Sequence, residues 1–221
     1  MSKIVTLLLL ISLVIPCTGC DINSQMEKQI QEPKNQVSEK IIPSKVVADE
    51  PLKQIASVVE DGVIGSAQII LPNEVGTYNA GVAANILDGY ILESGKVFSY
   101  NQVIGKRTAD KGYKYGNMPV TDANGNQKMI SSLGSGVCRL SVALATTVKN
   151  TGLKQIEITR HTYTPGYFNS KNPGLVDATV YWPSTDNKFQ NTMPYDIKIK
   201  SWLDEEYILH VEFVKLDYIY E

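Results

Sequence analysis

Cys138 stands in the run Gly134-Ser135-Gly136-Val137-Cys138-Arg139-Leu140-Ser141, between a glycine loop and an apolar segment of helical spacing. Glycines allow the sharp, positive-φ turn that sets a side chain at the start of a helix. There a thiol faces unpaired N–H groups and the positive end of the helix dipole, which favour a thiolate. The amides around Gly134, Ser135 and Gly136 could also hold an oxyanion. A thiolate nucleophile needs a base, and the chain has two histidines. His161 lies in a polar, turn-rich stretch, Arg160-His161-Thr162-Tyr163-Thr164-Pro165-Gly166, suited to a titrating imidazole. His210 falls in an alternating strand pattern opposite Leu209 and Val211, and reads as an exposed strand residue. Asp177 is a carboxylate able to orient the base. Together these residues describe cysteine acyl transfer. The alternatives are a structural cysteine at a tight loop–helix junction and an aspartate that merely opens a strand.

The amino terminus gives this cysteine its context. Lys3 precedes an apolar run from Val5 to Ile15, too short for a comfortable membrane span and suited to a signal peptide. Thr18-Gly19-Cys20 resembles a bacterial lipobox, with Cys17 where that pattern usually has leucine. The expected organisation is a signal peptide over 1–19 and a diacylated Cys20, held stably to the membrane by two chains. An ordinary secretory signal is the alternative. Cleavage before Cys20 would remove Cys17 and leave Cys138 unpaired in a compartment that favours disulfides. Residues 20–62, with Pro33, Pro43 and Pro51 and few large apolar groups, read as a disordered tether. As a coil of about 40 residues it reaches roughly 35 Å. The expected location is the extracytoplasmic face of a bacterial membrane, facing the wall.

The elements that must position the site occupy residues 63–221, read as one α+β domain. The 43% apolar content supports a real core, and a net charge of −2 without one-signed blocks argues against a nucleic-acid surface. With two histidines and no His/Cys cluster, neither a metal nor another cofactor is expected. Asn79 to Leu87 has helical spacing. Val97 to Asn101 reads as a strand, Lys106 to Lys128 as loop or hairpin, and Ser141 to Lys149 as a helix stopped by Gly152. Asp177–Trp182, Asp196–Trp202 and Tyr207–Lys215 are strand candidates, so a mostly antiparallel sheet follows the cysteine helix.

Several of these residues together resemble the VanW domain. The likeness rests on Val97-Phe98-Ser99-Tyr100-Asn101, Gly105, Arg107-Thr108, Gly112-Tyr113, Gly134 to Arg139, Arg160-His161, Tyr167, Gly174, Asp177 to Val180 and Phe189 with Asn191. It spans about Asn79 to Ile199. Ser135 and Arg139 stand where the family usually has glycine and glutamine, and Gly76-Thr77-Tyr78 where it often has an arginine. The resemblance implies a cysteine-dependent L,D-transpeptidase of peptidoglycan, in a family named from vancomycin-resistance clusters. The string Gly136 to Ser141 is also similar to the cysteine motif of YkuD-type L,D-transpeptidases. By this likeness Arg139, Arg107, Ser141 and Tyr167 are expected to bind substrate. The expected partners are peptidoglycan stem peptides and, through the lipid, the membrane, with the protein monomeric. A wall-binding accessory lipoprotein without chemistry and a thiol peptidase or carboxypeptidase on stem peptides remain alternatives.

Overall fold

The computed structural model of the chain describes residues 55–121 and 124–220. The signal segment, Cys20 and the tether up to residue 54 lie outside the described residues. Nine strands and three α-helices follow in order: β1 (Ile55–Ile70), α1 (Val75–Leu87), β2 (Tyr90–Leu92), β3 (Val97–Ser99), α2 (Tyr100–Ile104), β4 (Tyr115–Thr121), β5 (Gln127–Leu133), α3 (Cys138–Thr151), β6 (Lys154–Glu157), β7 (Lys188–Gln190), β8 (Ile197–Leu203) and β9 (Ile208–Tyr220). All pairings are antiparallel. They form a sheet of order β1-β9-β8-β2, a smaller one of order β3-β7-β6, and the hairpin β4-β5. The fold is α+β.

Alternation dictates the main sheet. Ile197 and Ile199 of β8 and Leu209, Val211 and Phe213 of β9 turn inward and are fully buried, each such side chain contributing about 1.5–3 kcal/mol. Lys198, Lys200, His210 and Glu212 take the other face. Helix α1 approaches β8 closely through Ala80, Ala83 and Ala84. Ser201 fixes the fit: its Oγ donates to the Ala84 carbonyl (2.7 Å), and its N–H donates to Asp88 Oδ1 (2.9 Å). Phe189 of β7 stacks on Phe98 (4.7 Å) and Phe213 (5.5 Å), joining the small sheet to the large one through one aromatic column.

Three expectations change. β1 begins at Ile55, so the folded chain reaches into the segment read as tether and starts ahead of Val63. The strand at Val97 stops at Ser99, because Ser99 Oγ accepts the Gln102 N–H (3.2 Å) and caps α2. Asp177–Trp182 is not a strand. Its apolar alternation is real, with Ala178 and Val180 buried, but its ladder is reduced to the isolated bridges Thr159–Thr179 and Tyr181–Thr185. Gly174, at φ +77°, and Pro183 bound that stretch too tightly for a longer run. The loop or hairpin expected over 106–128 holds β4, but its partner β5 runs on to Leu133, and α3 starts three residues before Ser141, with Cys138 itself as its first residue.

Candidate active site

Cys138 opens α3, and the preceding cap residue, Val137, supplies no side-chain acceptor to the first-turn amides. Gly134 and Gly136 hold φ values of +74° and +99°, which only glycine adopts without strain. Two buried side chains fix this turn from outside. Tyr100, fully buried, donates its hydroxyl to the Val137 carbonyl (3.0 Å). Asn79 donates Nδ2 to the carbonyls of Lys114 and Ser135 (2.9 Å each) and accepts the Lys114 N–H on Oδ1 (2.9 Å). Cys138 is thus carried by a helix whose start is bound to α1, α2 and the loop before β4.

The base and its partner arrive on two neighbouring segments. The Thr179 N–H donates to the Thr159 carbonyl (2.7 Å), pinning 177–180 beside 159–161. Across this junction the His161 N–H donates to Asp177 Oδ2 (3.1 Å), and His161 Nδ1 lies 2.5 Å from Asp177 Oδ1. With Asp177 on Nδ1, Nε2 is the nitrogen left for the thiol. The Cys138 Sγ is 3.5 Å from Thr179 Oγ1 and accepts the Val180 N–H at 3.5 Å. Burial pushes the thiol's pKa up, but His161, Thr179 and the Val180 amide together bring it below the ordinary thiol value. Burial likewise disfavours the imidazolium, yet Cys138 and then Asp177 outweigh it and raise His161. The pair is therefore poised toward thiolate and imidazolium, in a half-buried site where such charges act strongly.

The remaining predicted residues divide. Gly134 and Ser135 shape the loop, but their N–H groups are occupied, donating to the carbonyls of Lys114 (3.0 Å) and Ser132 (3.3 Å). They are not oxyanion donors. The Arg139 and Leu140 amides are used as well, donating to the carbonyls of Gly136 and Val137 (3.1 Å each), so the candidates are the amides of Gly136, Val137 and Cys138, at a helix start without a side-chain cap. Ser141 is fully buried and accepts from Asn187 Nδ2 (3.1 Å), so it joins α3 to the segment before β7 and faces no substrate. Arg107 donates to Asn101 Oδ1 and the Gly105 carbonyl (3.2 Å each) and lies over the Tyr100 ring. It supports the glycine turn from below, where a Cβ on Gly134 would meet its side chain at 2.6 Å. Arg139 pairs with Glu74 and lies 5.4 Å from the Tyr167 ring centroid. Tyr167 is buried, and both burial and the nearby Cys138 raise its pKa.

His210 is not the exposed strand residue expected. Its Nε2 is 2.8 Å from Asp204 Oδ2, and its ring stacks flat on Trp202 (4.6 Å). Among the described residues no cluster of three or more histidine, cysteine or acidic side chains could hold a metal ion. Sequence reasoning missed Thr179, Tyr100 and Asn79 as working parts of the site. Only Thr179 had a usable signal, lying two residues after Asp177 and so on the same side of an extended segment.

Residues 76–214 match the family described as VanW like protein. The chain belongs to the VanW family. The matched span takes in Cys138, His161 and Asp177. A relative, the uncharacterized protein YoaR of Bacillus subtilis (strain 168), is 32% identical over 129 residues, covering 58% of this chain and 40% of that protein. The chain thus spans less than half of that VanW relative's length. No solved structure matches. A Cβ on Gly76 would collide with Arg139 Nη1, so Arg139 packs where a glycine at 76 leaves room for it.

Proposed function

We propose that this protein is a cysteine acyltransferase of the cell wall, an L,D-transpeptidase acting on peptidoglycan tetrapeptide stems. The observation that carries the reading is the Cys138–His161–Asp177 array at an uncapped helix start. The Cys138 thiolate attacks the carbonyl between the third residue and the terminal D-alanine, forming a C–S bond and a tetrahedral oxyanion. The Cys138 amide and those of Gly136 and Val137 before it stabilise the oxyanion. His161, as imidazolium, gives its proton to the departing amine, and free D-alanine leaves a thioester on Cys138. The side-chain amine of a second stem then attacks the thioester, His161 accepts its proton, and a new amide links two third residues as the thiolate is released. Asp177 keeps the imidazole in the required tautomer throughout. Water in place of the amine would make the same site a carboxypeptidase.

The lipid anchor on Cys20 and the tether belong to this proposal, since they would hold the domain at the wall. Intact-protein mass spectrometry after incubation with tetrapeptide stems tests it. The expected result is an acyl adduct on Cys138, lost in Cys138→Ala, with D-alanine in the supernatant. A folded protein that forms no adduct with any stem and releases no D-alanine would leave the wall-binding accessory reading in its place.

A further inference from the structure

A cavity of about 360 Å³ opens beside the cysteine turn, between the start of α1, the β4-β5 hairpin and Arg139. Gly76 and Gly116 of its lining, with Gly136 beside it, make room for the side chains that wall it. A Cβ on Gly76 would meet Arg139 Nη1 at 2.3 Å, one on Gly136 would meet it at 2.4 Å, and one on Gly116 would meet Ser135 Oγ at 2.4 Å. The clearance admits an opposed pair of charges, the Arg139 guanidinium and the Glu74 carboxylate. Glu74 occupies the N-cap position of α1 without capping it, a place usually taken by Ser, Thr, Asp or Asn. Its carboxylate is directed across the cavity instead.

The two charges are not equally free. The Arg139 side chain is 13% exposed, held by the Gly136 carbonyl (3.4 Å) and the Tyr167 ring, whereas Glu74 is 49% exposed. Among the described residues the buried Nε of Arg139 has no partner. A fixed guanidinium with unused donor capacity, facing a carboxylate that can swing, fits a ligand bearing both charges on one carbon. Its carboxylate takes the guanidinium bidentately, and its ammonium takes Glu74.

We propose that this cavity receives the free end of a diamino-diacid side chain, an ammonium and a carboxylate on one carbon, on the third residue of the donor stem. The assignment rests on the acyl-transfer reading, because Arg139 directly follows the nucleophile and consecutive Cα atoms are only about 3.8 Å apart. A side chain ending in an ammonium alone, or one whose carboxylate is amidated, would displace Arg139 from Glu74 while leaving the near-buried guanidinium without an anion.

Three tetrapeptides test this, differing only at the third residue: meso-diaminopimelate, its side-chain-amidated form, and L-lysine. Affinity is read by calorimetry on Cys138→Ala protein, and turnover by D-alanine release from the wild type. The free diamino-diacid stem is expected to bind at least about tenfold more tightly than the other two, with the difference in kcat/KM residing in KM. Glu74→Gln and Arg139→Gln, checked for folding by thermal melting, should each flatten the preference. Equal affinity for all three stems, or a preference that survives in the folded Glu74→Gln protein, overturns the assignment. Retained binding order without turnover by the wild type would sink acyl transfer and leave the cavity's specificity standing.

Discussion

The molecule holds two histidine–aspartate pairs, and only one sits at a site. His161 presents Nδ1 to Asp177 at 2.5 Å, and His210 presents Nε2 to Asp204 at 2.8 Å. Neither imidazole is freely exposed, at 17% and 14%. The difference lies in what else each ring meets. His161 lies against the Cys138 thiol, and each group shifts the other toward its charged form. His210 stacks on Trp202 on the outer face of the main sheet, within one hairpin. An imidazole–carboxylate bond is therefore no sign of catalysis in itself. It becomes one when the second nitrogen is left to a nucleophile brought from a distant part of the chain.

This contrast breaks most sharply at the thiol. Cys138→Ala should abolish D-alanine release, a loss of at least about 10⁴-fold, and any residual thioester formation would place the nucleophile elsewhere. His161→Ala should cost nearly as much, and Cys138→Ala/His161→Ala no more than either single change, since the two act as a unit. His210→Ala should leave kcat/KM unaltered while lowering the melting temperature by about 2–4 °C through the lost stack. A reversal of those two outcomes would exchange the roles of the histidines. Asp177→Asn should cost about 10²–10³-fold, less than loss of the base itself.

The pH profile sharpens the same comparison. Because the thiol is lowered and the imidazole raised, kcat/KM should rise on an acid limb below the ordinary thiol range. It should fall on an alkaline limb above the ordinary imidazole value, where the proton for the leaving amine is lost. Asp177→Asn should move the alkaline limb down, because Asp177 helps raise His161. Iodoacetamide should label Cys138 at pH 6 faster than it labels free cysteine, and slower once His161 is removed. Among the changes at the site, the smallest effect belongs to Thr179→Val. Losing one hydrogen bond to sulfur should cost about fivefold in turnover and raise the thiol's apparent pKa.

That Cys138, His161 and Asp177 would meet was legible because their signals are local. A lone cysteine after glycines and before a helix pattern, and a histidine in a turn-rich stretch, identify themselves by neighbours in the chain. The long strands β8 and β9 and the stop at Gly152 were legible for the same reason. What supports the site was not. Tyr100 read as part of a strand until Ser99 capped α2, and Asn79 read only as a helical position. Their hydrogen bonds to Val137 and Ser135 cross 37 and 56 residues of sequence. The pairing of Arg139 with Glu74 was not legible either, because the two lie 65 residues apart. His210 looked exposed because strand alternation assigns a face but not the neighbour standing on it. The three- and four-residue strands β2, β6 and β7 are too short to carry a period.

Tyr100 ties the cysteine turn to the interior by a single hydroxyl, one residue ahead of the nucleophile. Burial drives the pKa of that hydroxyl up, well past the ordinary phenol, so the donor keeps its proton in alkali. Loss of activity at high pH is then a reversible titration of the thiol–imidazole pair, over a scaffold that stays clamped. Heat acts differently. The turn cannot slacken unless the ring leaves its place among the packed aromatics, so inactivation and melting share one transition. Base should therefore act on the thiol–imidazole pair alone and be undone by neutralisation, whereas warming past the midpoint should take the turn and the fold together.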